Sequence, residues 1–332
     1  MKDLNKELFL NDLPFAKGYG GASSMRDAFG EALVEIARRN EKIVVLSGNL
    51  MESVRTKDFK EEFEKRFFEM GIAEQNMMGV AAGMALSGKI PVAATFACFS
   101  PGRNWEQIRL SVTFQKANVK IIGGHAGFGN GVDGANQQMF EDIALTRVLP
   151  NMVVMAPCDA NQMKKALAAA IDHVGPVYIR MTPSKREVLT SNMTPFVLGK
   201  AQVMKEGGKL TLVACGQMVF ESLKAAGSFG DDVEVINVHT IKPLDVETII
   251  RSVKKTGRAI TVEEHSVIGG LGSAACEALS DELPVKVTRL GMKDCFGESG
   301  EVGELMEKYG LDSEGICFQI DSCLRRNDVG LI

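Results

Sequence analysis

Apolar and polar positions along this chain switch repeatedly between a helical and a strand period, and each switch marks an element. From Arg26 to Arg39 the apolar residues Ala28, Phe29, Leu33, Ile36 and Ala37 fall on one stripe, which predicts an amphipathic helix. Ile43 to Leu46 is a short unbroken apolar run, read as a buried strand, and a polar loop from Ser47 to Ser53 follows it. The same alternation predicts helices over 74–86, 105–114, 142–149 and 161–171, and strands over 92–96, 119–122, 152–155 and 177–179. A charged, turn-rich stretch at 184–198 reads as a linker. Beyond it come strands over 210–214, 233–238, 259–262 and 285–289, with helices over 219–226 and 271–279. Residues 316–332 carry no clear period and receive no role. Strands alternating with helices in this way predict an α/β protein of two parallel-sheet domains, 15–184 and 198–315.

Length agrees with that division, since 332 residues at roughly 150 per domain make about two domains. With 45% apolar and 24% charged residues the chain sits at the globular average, which excludes disorder as a global description. The net charge of −4 leaves no basic footprint, so a nucleic-acid partner is not expected. Anionic small molecules stay open, because a basic pocket can sit on an acidic protein. The opening MKDLNKELFLNDLP places acidic residues where a signal peptide needs an apolar run, so a cytoplasmic location with reduced thiols is expected. Seven cysteines without a C-x-x-C pair and four scattered histidines (125, 173, 239, 265) give no metal site. The most apolar stretch, 77–99, is cut by Ser87, Gly88, Lys89 and Pro91, so no membrane span is expected.

Three features carry candidate chemistry. The loop His125 to Gly134 follows a strand and contains G-x-G-x-x-G at Gly129, Gly131 and Gly134. A dinucleotide site needs a helix to open at once, whereas polar Ala135-Asn-Gln-Gln138 follows here. A surface loop, or an active-site loop whose glycines allow close backbone approach beside His125 and Asp133, fits the context better. Glu74 opens a helix that is almost uniformly apolar. It reads equally as a helix-dipole acid or as a buried functional carboxyl held neutral by desolvation. Of the arginines at 26, 103, 109 and 180, Arg180 stands out, because it ends an apolar strand where α/β folds bind ligands and where a guanidinium suits a phosphate.

Gly71-Ile-Ala-Glu-Gln75, Thr95-Phe-Ala-Cys-Phe-Ser-Pro-Gly-Arg103, the 125–134 loop and Arg147-Val-Leu-Pro-Asn-Met-Val-Val154 together resemble the transketolase family. Thr240-Ile-Lys-Pro-Leu-Asp245 and Glu263-Glu-His-Ser-Val-Ile-Gly-Gly-Leu-Gly272 resemble that family's C-terminal domain. The likeness runs from about 15 to 312 and covers only the second half of a full transketolase. It implies a thiamine-diphosphate pyrimidine-binding domain followed by the C-terminal domain. No G-D-G…N diphosphate motif occurs. The resemblance therefore implies a two-chain enzyme whose other chain, an N-terminal subunit, holds the diphosphate and its Mg²⁺, with a homodimer contact inside an α2β2 heterotetramer.

The resemblance also implies roles. Glu74 corresponds to the carboxyl that bonds the cofactor's aminopyrimidine ring, Phe96 and Phe99 to the pocket around that ring, and Asp133 to an acid at the substrate hydroxyl. Arg26, Ser53, His125 and Arg180 correspond to positions that hold the acceptor's phosphate, which implies sugar-phosphate substrates. Two positions depart from the family: Gln137 stands where a catalytic histidine is usual, and Asn49 where many members have aspartate at the cofactor. The implied activity is transfer of a two-carbon ketol unit between sugar phosphates. Rival readings are a transketolase-like enzyme of specialised sugar metabolism, a 1-deoxyxylulose-5-phosphate synthase, a 2-oxo-acid dehydrogenase β subunit or a non-catalytic partner. The synthase is disfavoured by Asn76, where it has histidine, and the dehydrogenase by the four phosphate positions.

Overall fold

The computed structural model describes Asn5, Leu8 and residues 21–325; the expected domain start at 15 and the end of the 316–332 tail lie outside the described residues. Ser24 closes a short strand, β1 (Ala22–Ser24), and caps helix α1 (Met25–Arg39), its hydroxyl accepting from the Asp27 amide at 3.3 Å. The chain then builds β2 (Ile43–Ser47), α2 (Lys57–Glu62), β3 (Phe67–Glu69), α3 (Glu74–Leu86) and β4 (Ile90–Phe96). After these come α4 (Trp105–Gln107), β5 (Lys120–Gly124), α5 (Asp142–Arg147), β6 (Val153–Met155), α6 (Ala160–Asp172) and β7 (Val177–Arg180). The single helix expected over 105–114 is instead the short α4 continued by a π-helical stretch, Ile108–Thr113.

The linker is more ordered than its composition implies. It holds β8 (Lys185–Glu187), which pairs antiparallel with β1, and Asp159 fastens its far side by accepting from the Leu189 and Thr190 amides. The second domain runs β9 (Gln202–Lys205), β10 (Leu210–Ala214), α7 (Met218–Ala226), β11 (Val233–Asn237), β12 (Thr240–Lys242), α8 (Val246–Thr256), β13 (Ala259–Ser266), α9 (Leu271–Glu282) and β14 (Val287–Met292). It ends in α10 (Val302–Lys308) and α11 (Ser313–Arg325). The aperiodic reading of the tail is corrected here: α11 packs on α7 and buries Ile316 and Ile320 in the second core.

The two large sheets are mainly parallel, as the alternation requires. The first has strand order β12-β6-β7-β5-β4-β2-β3 and the second β14-β13-β10-β11-β9. β12 belongs to the second domain by sequence yet pairs antiparallel with β6, so the domains share a sheet edge. On one face of the first sheet, Phe29 and Leu33 of α1 meet Met163 and Leu167 of α6 over Val45, Val92 and Ile179. On the other, Met77 and Ala81 of α3 join a core that continues into Val213, Ile249 and Leu271 of the second domain. Among the described residues no helix is long and apolar enough to cross a membrane.

Candidate active site

Chemistry-bearing side chains gather where the parallel strands β2, β4 and β5 end, the usual ligand edge of such sheets. Glu74 begins α3 at this edge and its side chain is only 1% exposed. One carboxyl oxygen, Oε2, accepts from Arg103 Nη1 at 2.8 Å, while Oε1 is buried with no hydrogen-bond partner. β4 ends at Phe96, and the turn after it brings Phe99 parallel to Phe96, with ring centroids 6.0 Å apart. Asn104 then fastens the turn to α3, its amide donating to the Glu74 carbonyl and the Ser100 hydroxyl at 3.2 Å each. A buried acid with one free oxygen beside an aromatic pair can hold a flat, nitrogen-rich ring.

His125 follows β5, and its ring lies 3.9 Å from that of Phe96, centroid to centroid. It is buried and its Nδ1 has no partner. Burial first, and then the charges of Arg26 and Arg55, push its pKa down to about 3. The imidazole is therefore neutral above about pH 4 and offers hydrogen bonds but no charge. In ¹⁵N NMR spectra His125 is expected to stay neutral from pH 8 down to pH 5, and a midpoint near 6.5 would mean that the ring is hydrated and unperturbed. Arg26 donates to the Ser53 carbonyl at 3.4 Å while its buried Nε has no partner. Arg55, which pairs with Asp27, adds a second cation. Sequence reasoning missed Arg55; its place in the loop after the first buried strand was the available signal.

The remaining expected site residues divide. Gln137 reaches this edge: its Oε1 lies 3.6 Å from Cys98 Sγ, and burial lifts that thiol to about 11, so the sulfur stays protonated and donates. Asp133 and Asn49 are exposed, Asn49 with a positive φ of 63° and its backbone N–H donating to Glu69 Oε1 at 2.7 Å. Arg180 has a different setting. Its guanidinium is buried between the domains, paired with Asp142 and, at 3.5 Å, with Glu264 Oε2. It also donates to the Glu264 carbonyl. Both Nη groups of the guanidinium expected at a phosphate are thus engaged by protein oxygens.

The 125–134 loop is no dinucleotide fingerprint either. Its glycines form 3₁₀ turns over Gly127–Asp133 and no α-helix opens until Asp142. Phe128 instead plugs into the second domain, its amide donating to Glu264 Oε1 at 2.7 Å. A Cβ on Gly127 would fall 2.2 Å from the Glu264 carboxyl carbon, so only glycine permits that approach.

Comparison with known proteins agrees with this arrangement. Residues 22–187 match the transketolase pyrimidine-binding domain and residues 199–316 the transketolase C-terminal domain. The chain is 41% identical over 295 residues to a 6-deoxy-6-sulfo-D-fructose transketolase subunit of Clostridium sp. (strain MSTE9), covering 88% of this chain and 92% of that protein. It is 39% identical over 296 residues to an apulose-4-phosphate transketolase subunit of Phocaeicola vulgatus, covering 88% of this chain and 95% of that one. A solved split-gene transketolase, described as an inactive β4 tetramer, superposes with a TM-score of 0.83 at 44% identity, over 92% of this chain and 99% of that one.

Proposed function

We propose that this chain, which belongs to the transketolase family, is the pyrimidine-binding and C-terminal subunit of a two-chain enzyme that moves a two-carbon ketol unit between sugar phosphates. The observation that carries the reading is Glu74, buried with Oε1 unpartnered and joined through Arg103 to Phe99, which stacks on Phe96. These residues fit the aminopyrimidine end of thiamine diphosphate. When bound, that cofactor supplies the carbon nucleophile that carries the ketol fragment. Glu74 is then the acid that holds a proton at the ring nitrogen through Oε1, and the two phenylalanines fix the ring plane. Its burial at the start of α3 keeps water from competing for that bond.

Around the substrate, Arg26, Ser53 and His125 present one free guanidinium nitrogen, a hydroxyl and a neutral imidazole, a donor set suited to a phosphate. Asp133 remains the proposed partner of a substrate hydroxyl, and Asn49 stays assigned to the cofactor side. Gln137 has its carbonyl oxygen on the Cys98 thiol, so its amide nitrogen is the group left to face a substrate oxygen. An amide donates but never transfers a proton, so proton movement at that oxygen passes to other groups. Among the described residues no three His, Cys, Asp or Glu side chains cluster as a metal site. We assign the diphosphate and Mg²⁺ to the N-terminal partner subunit, with two copies of each chain in the assembly.

The test is assembly. The chain alone is expected to show no ketol transfer and no micromolar affinity for thiamine diphosphate, and adding a diphosphate-binding partner restores both. In the assembled enzyme, Gln137→His is expected to raise turnover of xylulose 5-phosphate with ribose 5-phosphate by about 10²-fold. Micromolar cofactor binding without a partner overturns the two-chain reading, and wild-type turnover near ~10 s⁻¹ with no gain in the variant overturns the role given to Gln137.

A further inference from the structure

Arg103 lies across the two features assigned to the pyrimidine ring. Its Nη1 donates to Glu74 Oε2 at 2.8 Å, and its guanidinium carbon stands 4.7 Å from the centroid of Phe99. The Glu74 side chain is 1% exposed and that of Arg103 is 47% exposed, so the arginine is the movable member of the pair. Its backbone, by contrast, is fixed. A Cβ on Gly102 would fall 2.1 Å from the Cys98 carbonyl oxygen, so only glycine allows the turn that returns Arg103 toward Phe99, and Asn104 is bonded to α3. The result is an anchored main chain carrying a half-exposed, flat cation aimed at an aromatic face and a buried acid.

A guanidinium and an aminopyrimidine are both planar, delocalised groups that stack on an aromatic ring and meet a carboxyl group in their own plane, the guanidinium as donor and the ring nitrogen as acceptor. We propose that Arg103 stands in for the cofactor's ring in the free chain, closing the site over Glu74 and Phe99, and that it withdraws when the ring enters. The proposal rests on the reading of Glu74 given above. It also accounts for how a buried carboxyl is kept paired before any cofactor arrives, since an unpaired charge there is costly. Withdrawal puts the Arg103 side chain, already half in solvent, fully into water, and Glu74, left without its cation, takes up a solvent proton, the one it then holds at the ring nitrogen.

The experiment uses the full chain and 4-amino-5-hydroxymethyl-2-methylpyrimidine, which carries the ring without thiazolium or diphosphate. Calorimetric titration of Arg103→Ala is expected to give about tenfold tighter binding than wild type, the scale of one charge-assisted hydrogen bond no longer competing. Arg103→Gln, which keeps a shorter planar amide, is expected to fall between the two and decides the matter if the alanine variant does not fold. Equal, weaker or undetectable binding in the variants overturns the proposal. Adding Glu74→Ala to Arg103→Ala separates the two readings. Loss of the gain is expected, whereas a gain that survives without Glu74 removes Glu74 from the ring's site and with it the proposed function.

Discussion

Replacing Glu74 by glutamine is expected to lower turnover of the assembled two-chain enzyme by about 10²–10⁴-fold, the usual loss when a positioned acid is removed. Glutamine keeps the volume and an oxygen for Arg103, but its amide can only donate an N–H hydrogen bond to a ring nitrogen and cannot transfer a proton to it. The fold is expected to survive, because the contacts of α3 come from Met77, Met78, Ala81 and Ala82, which the substitution leaves in place. The measurement is a pair: single-turnover rate in the assembled enzyme and the melting curve of the variant chain. Unchanged turnover would reduce Glu74 to an acid at a helix start, where the dipole alone accounts for it. A collapsed melting curve would instead make the residue structural, held for its bond to Arg103.

For Arg180→Ala the expected loss is in stability, of about 3–5 kcal/mol, because a buried pair broken from one side leaves charge without compensation. Among the described residues Asp142 keeps only the Tyr178 hydroxyl at 2.7 Å, and Glu264, which burial already pushes above the usual carboxylate range against the pull of Arg180, loses that guanidinium. Asp142 lies in the first domain and Glu264 in the second, so the damage falls on the joint between them. Denaturant unfolding checks the size, and the double variant Arg180→Ala with Asp142→Asn is expected to recover part of it through their coupling. A variant of native stability, weakened only toward phosphorylated acceptors, would return Arg180 to the role its place at the end of β7 implies from sequence.

Glu74 and Arg180 differ in how much of their surroundings can be read from the sequence. Glu74 was legible because its evidence is local: an acid opening an apolar helix within four residues of Gly71-Ile-Ala, with Phe96 and Phe99 three apart at a strand end. The partners of Arg180 lie 38 and 84 residues away, and no local pattern carries them. The same distance hid β12, whose three residues have no period to read and form a strand only because β6 offers an edge. It also hid α11, whose apolar residues Ile316 and Ile320 make sense only opposite α7.

By itself the sequence determined the α/β class, the order of most strands and helices, and the residues at the carboxyl ends of β2, β4 and β5. These follow from period and propensity, which act over a few residues. Tertiary structure decided what each charged group does once it is there. It paired Arg180 with two acids across the domain joint, laid Arg103 over Glu74 and Phe99, and made His125 neutral by burying it beside Arg26 and Arg55. The physical reason is that hydrophobic periodicity chooses which face of an element is buried, whereas the state of a charge depends on its desolvation and on neighbours within a few ångströms, and those neighbours arrive from distant parts of the chain.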